Sequence, residues 1–234
     1  MITGHPAPHE LLPDGVVFHD IRGDVSLDVL LPPERDVAAS FSERRRREYA
    51  TVRHCARRGL SDLGLVNTAI VNDESGCPIW GESVVGSMTH CRGYRAAVVG
   101  PSALIAGIGI DAEVAEELPR GVLARISSVA EQDRVASLAH ERADVPWDRV
   151  LFCVKESIFK AWYPLTRTGL GFLDVEVFLE ADTSGQIRFL REVPADLPEA
   201  WKVRWTVNDG IIIAAAWMTL TPSVECASTT RGIH

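Results

Sequence analysis

The chain has 234 residues, of which 46% are hydrophobic, so it is long enough to bury one large core or two small ones. Its 24 basic and 32 acidic residues give a net charge of −8, which argues against a general nucleic-acid-binding protein. No N-terminal stretch combines basic residues with an apolar core, and no apolar run is long enough to span a membrane. The five cysteines form no C-x-x-C pair, which disfavours a zinc site or a disulfide framework. These totals predict a soluble, cytoplasmic protein, which we expect to be a monomer.

The first half of the chain combines a short strand pattern with a long helical one. A strand is predicted at Val16–Ile21, and a helical pattern begins at Pro33. The apolar positions of that pattern are Val37, Phe41, Val52, Ala56, Leu60 and Leu63. A break is expected near Ser40–Ser42, so the pattern predicts two helices. A further strand is predicted at Tyr94–Val99.

The second of these helices is rich in arginine. The arginines are Arg44, Arg45, Arg46, Arg47, Arg53, Arg57 and Arg58. Such a run is commonly a solvated face. The alternative is an anion site, because Arg45 and Arg53 are about 12 Å apart along a helix, close enough to bind separate phosphates of one nucleotide. Nucleic-acid binding would need interleaved aromatic residues, and Tyr49 is the only one in this stretch.

A turn-rich segment, Asn72–Pro78, follows the helices, and Thr89 and His90 come after it. A lone histidine is commonly structural. A histidine beside small hydroxyl residues is also a good phosphate contact, so both interpretations stay open.

The strand predicted at Leu104–Asp111 ends in acidic residues. Alternation along a strand points Asp111 and Glu113 to one side and Ile108 and Ile110 to the other. Two carboxylates in this arrangement repel each other unless a positive group lies between them. The alternative is that both acids simply meet water where the strand ends.

A helix predicted at Trp147–Tyr163 adds another acid. Glu156 and Lys160 stand one turn apart, which alone is typical of a solvated salt bridge. Lys155 and Lys160 are two of the chain's three lysines, and a lysine ammonium carries a movable proton that arginine lacks. The apolar stripe of this helix is Leu151, Val154, Ile158, Ala161 and Leu165.

Together, Asp111, Glu113 and Glu156 provide oxygen ligands with no Cys or His in the set. Such a set is typical of a hard cation, and beside a phosphorylated substrate Mg²⁺ is the expected ion.

The second half repeats the plan of the first, with long helices followed by strands of hairpin-like spacing. Its remaining predicted elements are a helix near Ser127–Glu141 and strands at Leu173–Glu180, Gln186–Arg191, Trp201–Val207 and Ile211–Met218. We therefore predict an α+β fold of two similar α/β halves related by pseudo-twofold symmetry. The halves are residues 1–103 and 104–220, the carboxylates lie at the join, and residues 221–234 are predicted to be a disordered tail.

In combination, these motifs resemble the 4′-phosphopantetheinyl transferases of the Sfp-like class. The pattern is Gly109-Ile110-Asp111-x-Glu113, followed about forty residues later by Lys155-Glu156-Ser157-x-x-Lys160. The further segments Val52–Arg57, Val85–Cys91 and Phe152–Glu156 are similar to the branch associated with siderophore and actinobacterial lipid or polyketide synthesis. The similarity runs from about Arg44 to Trp217, most of the chain.

The resemblance implies transfer of phosphopantetheine from coenzyme A to a serine of an apo acyl or peptidyl carrier protein, with release of adenosine 3′,5′-bisphosphate. It implies that Asp111, Glu113, Glu156 and the backbone carbonyl of Ala112 hold Mg²⁺. The catalytic residues would be Asp111, Glu156 and Lys160. Glu156, directly or through a metal-bound water, would accept the serine proton, and Lys160 would protonate the leaving group.

The resemblance also implies a set of contacts to coenzyme A. They are Arg45, Arg53, Asn72, Ser75, Thr89, His90, Asp111, Lys155, Glu156 and Lys160. In this set Arg45 and Arg53 would bind the nucleotide phosphates, the 3′-phosphate above all. Lys155 and Lys160 would stabilise the diphosphate.

The chain departs from the family pattern in two places. Relatives often carry lysine or arginine in the turn matching Asn72–Cys77, and Trp-Pro where this chain has Trp80-Gly81, so adenine-side affinity is in question. The segment Gly121–Ile126 is a candidate landing place for a carrier protein. Carrier proteins are typically acidic, and the nearby arginines are Arg120, Arg125 and Arg134.

Other functions compete with this one. A Mg²⁺-dependent phosphohydrolase would share the three carboxylates but would want a fourth acid or a nucleophilic aspartate. A non-catalytic carrier-protein or nucleotide-binding module would have no physical reason to keep mutually repelling acids.

Overall fold

The fold consists of two antiparallel sheets, each packed against a helix of 20 residues. It is seen in a computed structural model that describes residues 6–65, 68–195, 197–198 and 200–220. The tail predicted at residues 221–234 lies outside the described residues. No helix in the described part is long and apolar enough to cross a membrane.

The first half forms a sheet with the strand order β1-β3-β2. Its elements are β1 (Val17–Arg22), α1 (Pro32–Ala38), α2 (Glu43–Asp62), β2 (Val84–Cys91) and β3 (Tyr94–Pro101). The break predicted near Ser40–Ser42 is present, because Ser42 caps α2 by accepting a hydrogen bond from the Arg45 N–H at 3.3 Å. The sequence patterns predict no strand at β2, whose glycine and hydroxyl residues weaken its apolar alternation.

The second half forms a larger sheet with the strand order β4-β8-β7-β6-β5. Its elements are β4 (Ile105–Val114), α3 (Leu123–Ile126), α4 (Val129–Glu141), α5 (Trp147–Thr166), β5 (Val175–Leu179), β6 (Ser184–Phe189), β7 (Trp201–Asn208) and β8 (Ile211–Thr219). In both halves the first strand pairs antiparallel with the last, β1 with β3 and β4 with β8. The α+β prediction is confirmed. The boundary at residues 103 and 104, between β3 and β4, stays a prediction.

The two faces of β4 pack against different layers. Ile108 and Ile110 point into a core shared with β3 and β8, so this core joins the halves. The opposite face carries Gly107 and Gly109, which lie against α5. The predicted apolar stripe of α5 is buried in its first four members, whereas Leu165 is 37% exposed.

Candidate active site

Asp111 and Lys160 meet at the join of the two halves. The Lys160 ammonium donates a hydrogen bond to Asp111 Oδ1 at 2.7 Å, and the Thr89 hydroxyl donates to the same oxygen at 3.1 Å. Among the described residues, Lys160 forms its salt bridge with Asp111 and not with Glu156. Asp111 is only 6% exposed, so this contact is less screened by water than a surface salt bridge.

A glycine in β4 makes this meeting possible. A Cβ at Gly109 would lie 2.0 Å from the Ser157 carbonyl oxygen and 2.6 Å from the Ala161 nitrogen, distances that no side chain can occupy. The backbones of β4 and α5 are therefore in direct contact. Asp111 follows two residues along β4 and Lys160 lies on the adjoining turn of α5, so the two side chains are brought within bonding distance.

Hydroxyl groups of β2 join the first half to β4, which is an edge strand. Ser87 Oγ accepts the Ile110 N–H at 3.1 Å, and Thr89 Oγ1 accepts the Ala112 N–H at 3.0 Å. The N–H and C=O groups of a strand residue point to the same edge, so the Ala112 carbonyl also faces the join. Thr89 thus orients Asp111 and aligns the strand that carries it.

The three predicted acids lie close enough to affect one another. Asp111 Oδ2 is buried and has no hydrogen-bond partner among the described residues, so this oxygen is available to a further group. Burial, and next the negative charge of Asp111, raise the pKa of Glu156. The same two causes, in the same order, raise the pKa of Glu113.

These oxygens fit Mg²⁺ by their chemistry, although their present arrangement does not enclose an ion. Within the described ranges, no three His, Cys, Asp or Glu side chains are placed to hold a metal. One reason is that Glu113 Oε2 is turned to Arg149 Nη1, 3.0 Å away. The unpartnered Asp111 Oδ2 and the nearby Glu156 suit a hard cation. Glu113 would have to leave Arg149 to join them.

A cavity of about 500 Å³ opens beside this cluster, a size typical of small-molecule sites. It lies between α2, the turn after it, β2 and the C-terminal part of α5. The predicted coenzyme A contacts that line it are Arg45, Arg53, Asn72, Ser75, Thr89, His90 and Lys160. The fold therefore brings together residues that are spread over more than 100 positions of the sequence.

Arg53 forms a fixed positive charge in the cavity wall. It is 3% exposed, and its guanidinium carbon lies 3.3 Å from the centre of the Tyr49 ring. It donates to Asn72 Oδ1 at 2.5 Å and to the Ile70 carbonyl at 3.0 Å. Burial lowers the pKa of Arg53 to about 10, which still leaves it cationic at neutral pH. A pre-oriented, desolvated guanidinium of this kind suits a phosphate.

Arg45 and His90 form a second contact on the same wall. Arg45 Nη1 bonds to His90 Nε2, while His90 Nδ1 lies 3.6 Å from Glu48 Oε2. Burial, followed by the positive charge of Arg45, lowers the pKa of His90 to about 4. His90 is therefore neutral at physiological pH, and its Nε2 accepts the hydrogen bond.

The turn after α2 is organised by a residue that the motifs did not single out. Asp73 Oδ1 accepts hydrogen bonds from the Ser75 N–H at 3.0 Å, the Ser75 hydroxyl at 2.6 Å and the Cys77 N–H at 2.9 Å. Ser75 and Asn72 are thus engaged in shaping the wall, Ser75 through Asp73 and Asn72 through Arg53.

Comparisons with known proteins decide the family. The model of the 4′-phosphopantetheinyl transferase N-terminal domain matches residues 33–100, and that of the 4′-phosphopantetheinyl transferase superfamily matches residues 107–216. The chain is 41% identical over 214 residues to the 4′-phosphopantetheinyl transferase Svp of Streptomyces mobaraensis, covering 88% of this chain and 86% of that protein. It is 40% identical over 201 residues to the 4′-phosphopantetheinyl transferase PptT of Mycobacterium tuberculosis, covering 79% and 84%. The chain belongs to the 4′-phosphopantetheinyl transferase superfamily.

In this phosphopantetheinyl transferase, Lys155 does not join the cluster. It is 2% exposed, and its ammonium donates to the Ile126 carbonyl at 2.8 Å, Glu131 Oε2 at 2.9 Å and the Phe172 carbonyl at 2.8 Å. A lysine has three N–H donors, so these contacts occupy all of them. The geometry does not support the role expected for Lys155 on a diphosphate. It supports an internal role, in which Lys155 ties α3 and the segment before β5 to α5.

In the phosphopantetheinyl transferase, Glu156 and Lys160 line different cavities. A smaller cavity of about 230 Å³ is lined by Lys155, Glu156, Phe159, Val175 and the segment Leu170–Phe172. Phe159 lines both cavities, whereas Lys160 lines only the larger one. The acid and the ammonium therefore stand at the boundary between two spaces.

Two arginines of the site were missed by the sequence patterns. Arg149 binds Glu113 and donates to the Glu116 carbonyl at 3.0 Å, and helical spacing could have found it because it lies two turns before Glu156 on the same face. Arg167 Nη1 lies 2.5 Å from Asp73 Oδ2. No local pattern signals this contact, since 94 residues separate the partners.

Proposed function

We propose that this phosphopantetheinyl transferase moves the 4′-phosphopantetheine group from coenzyme A to a serine of an apo acyl or peptidyl carrier protein. The observation that carries the proposal is the cavity, whose wall holds Arg45 and Arg53 and which opens at the Lys160–Asp111 pair. Cations suited to phosphates thus lead to a group suited to a reacting diphosphate.

The nucleotide end of coenzyme A would occupy the larger cavity. Arg53 is already desolvated and oriented, so it can bind the 3′-phosphate at little cost in side-chain order. Arg45 is half-exposed and is held by His90, so it can turn to a second phosphate. These local charges matter because the chain as a whole is acidic.

Mg²⁺ would be held by Asp111, through its unpartnered Oδ2, and by Glu156. The Ala112 carbonyl, which faces the join, would be a further ligand. Glu113 would be another ligand once its side chain leaves Arg149. When bound, the ion supplies positive charge that neutralises the diphosphate oxygens. Burial, and next the repulsion from Asp111, raise the pKa values of Glu113 and Glu156, and a bound cation would offset both effects.

The reaction asks the protein to remove one proton and to stabilise a leaving group. Glu156, whose pKa is raised, would accept the proton of the carrier serine hydroxyl, and the serine oxygen would attack the phosphorus that bears the pantetheine arm. The bond from that phosphorus to the bridging oxygen breaks, and adenosine 3′,5′-bisphosphate leaves. Lys160 would place its ammonium on the departing oxygen and supply its proton.

The proposal is tested by the mass of an apo carrier domain after incubation with the enzyme, coenzyme A and Mg²⁺. The expected result is the gain of one phosphopantetheine group, lost when Asp111→Ala replaces the parent enzyme. Release of inorganic phosphate with an unmodified carrier would favour a phosphohydrolase. Binding of coenzyme A without either product would favour a non-catalytic module.

We further infer that the enzyme is a cytoplasmic monomer that does not act on nucleic acid, in line with its net charge of −8. Sedimentation of the purified protein tests the oligomeric state.

A further inference from the structure

A salt bridge links the two walls of the larger cavity. Arg167 directly follows α5 and caps it, donating its N–H to the Tyr163 carbonyl at 2.9 Å. Its side chain reaches across to the turn after α2, where Nη1 lies 2.5 Å from Asp73 Oδ2. Tyr163 lines the cavity on the α5 side. The pair therefore joins the end of α5 in the second half to the turn after α2 in the first half, beside the residues that line the cavity.

The partner of Arg167 controls the shape of the opposite wall. The same carboxylate that receives Arg167 through Oδ2 holds the Ser75 and Cys77 backbone N–H groups through Oδ1. Ser75 and Cys77 both line the cavity. A shift of the Asp73 side chain would therefore also move Ser75 and Cys77, which would touch the nucleotide.

The backbone of Arg167 ends the helix. Its φ angle of 54° lies in the left-handed region, a common conformation for the residue that terminates an α-helix. The chain leaves the helix direction at this residue, and the Arg167 side chain contacts Asp73 from there.

The Arg167–Asp73 ion pair contributes little to the stability of the fold. The side chains of Arg167 and Asp73 are 58% and 24% exposed, and exposed ion pairs stabilise a fold little. We infer that the Arg167–Asp73 pair is a clasp that holds residues 72–78 against the end of α5 and thereby slows release of the bound nucleotide. Arg167 is then a positioning residue that acts through Asp73. The inference rests on the proposed binding of coenzyme A in this cavity.

Two variants break the clasp while leaving the rest of the turn in place. Asp73→Asn keeps the Oδ1 acceptor for Ser75 and Cys77 but replaces the oxygen that faces Arg167 by an amide. Arg167→Gln removes the charge from the other side. Arg188→Gln is the matched control, because Arg188 on β6 is an exposed arginine that pairs with Glu176 on β5, and it does not line the larger cavity.

The measurement is the dissociation rate of coenzyme A labelled with a fluorophore on its thiol, chased with unlabelled coenzyme A in stopped flow. We expect each variant to release the ligand about 3- to 10-fold faster than the parent, the double variant no faster than either single one, and Arg188→Gln at the parental rate. Melting temperatures and kcat should stay close to the parental values. The effect of the variants should appear in the KM for coenzyme A.

Three outcomes would overturn the clasp. Faster release from Arg167→Gln alone would mean that Arg167 touches the ligand directly. Unchanged release from both variants would mean that the pair is a surface contact, and multiplicative effects in the double variant would mean that the two residues act independently. Failure of the parent enzyme to bind coenzyme A would overturn the proposed function itself, and the clasp with it.

Discussion

Gly109 and Ser157 are in backbone contact, and a Cβ at position 109 would lie 2.0 Å from the Ser157 carbonyl oxygen. This contact fixes the distance between β4 and α5. Asp111 and Lys160 lie within one turn or two strand positions of it, so their 2.7 Å hydrogen bond depends on it. The chemistry of the site therefore begins with a residue that has no side chain.

Gly109→Ala should destabilise the protein and impair transfer together. The added methyl meets backbone atoms that cannot rotate away, so we expect a loss of about 3 kcal/mol or more of unfolding free energy. Thermal unfolding and the transfer rate measure the two effects. Gly169→Ala is the control, because its Cβ would meet nothing within 4 Å. A parental melting temperature in Gly109→Ala would contradict the packing described here.

Lys155→Met should lower the stability of the protein and leave its affinity for coenzyme A nearly unchanged. Lys155 and Glu131 form a buried pair, each side chain 1% exposed, and removal of one partner leaves an uncompensated charge at a cost of about 3–5 kcal/mol. Coenzyme A should bind within several-fold of the parent, since Lys155 does not line the larger cavity. Lys202→Met, at an exposed lysine, is the control for loss of a lysine. Weakened coenzyme A binding at unchanged stability would restore the diphosphate role expected from the sequence.

His90 should make the stability of the ligand-free protein depend on pH. The pKa of its native imidazole, about 4, lies below the usual value of 6.5, so between these pH values the unfolded chain binds a proton that the native protein does not. Stability from this group therefore rises with pH from about 4 to 6.5 and is complete above that range. Urea unfolding of the parent and of His90→Asn across this window should give a flatter profile for the variant. Parallel profiles would show that His90 binds its proton over the same pH range in the native and unfolded states, which would contradict a lowered pKa.

Arg53→Ala should discriminate between ligands that differ by one phosphate. We expect weaker binding of coenzyme A by about 1.5–3 kcal/mol, and a much smaller change for its 3′-dephospho analogue, because the charge-assisted contact exists only with the phosphate. Calorimetric titration measures both affinities. Arg58→Ala, on the same helix but exposed, should change neither. Equally weakened binding of the two ligands would mean that Arg53 does not contact the 3′-phosphate. Arg53 would then only shape the cavity wall, through its contacts with Asn72 and Tyr49.

The sequence predicted the long elements of the fold well, because α2 and α5 carry apolar residues at helical spacing. The motifs on a strand end and a helix turn also predicted one site with Asp111, Glu156 and Lys160, and the structure brings Asp111 and Lys160 into contact. Glu156 lines a different cavity, so the shared site stays a prediction. Strand β2 escaped prediction because its order comes from pairing with β3. The expected contact of Lys155 with the diphosphate stays a prediction, which its buried pairing with Glu131 does not favour. Adjacent residues in a helix point about 100° apart, so Lys155 and Glu156 face different surroundings. The sequence alone does not show that Glu131 lies beside Lys155 on the buried side of α5.

We propose that Lys160 acts on the reacting diphosphate, in addition to its ion pair with Asp111. The single-turnover rate of carrier-serine modification by Lys160→Arg, measured with coenzyme A affinity and melting temperature, tests it most directly. Arginine keeps the charge, but its larger fork does not fit an ammonium site and its pKa, above about 12, prevents proton transfer. We expect a parental melting temperature, a coenzyme A affinity within several-fold of the parent, and a modification rate lower by roughly 10²–10⁴. A fully active Lys160→Arg enzyme would contradict it.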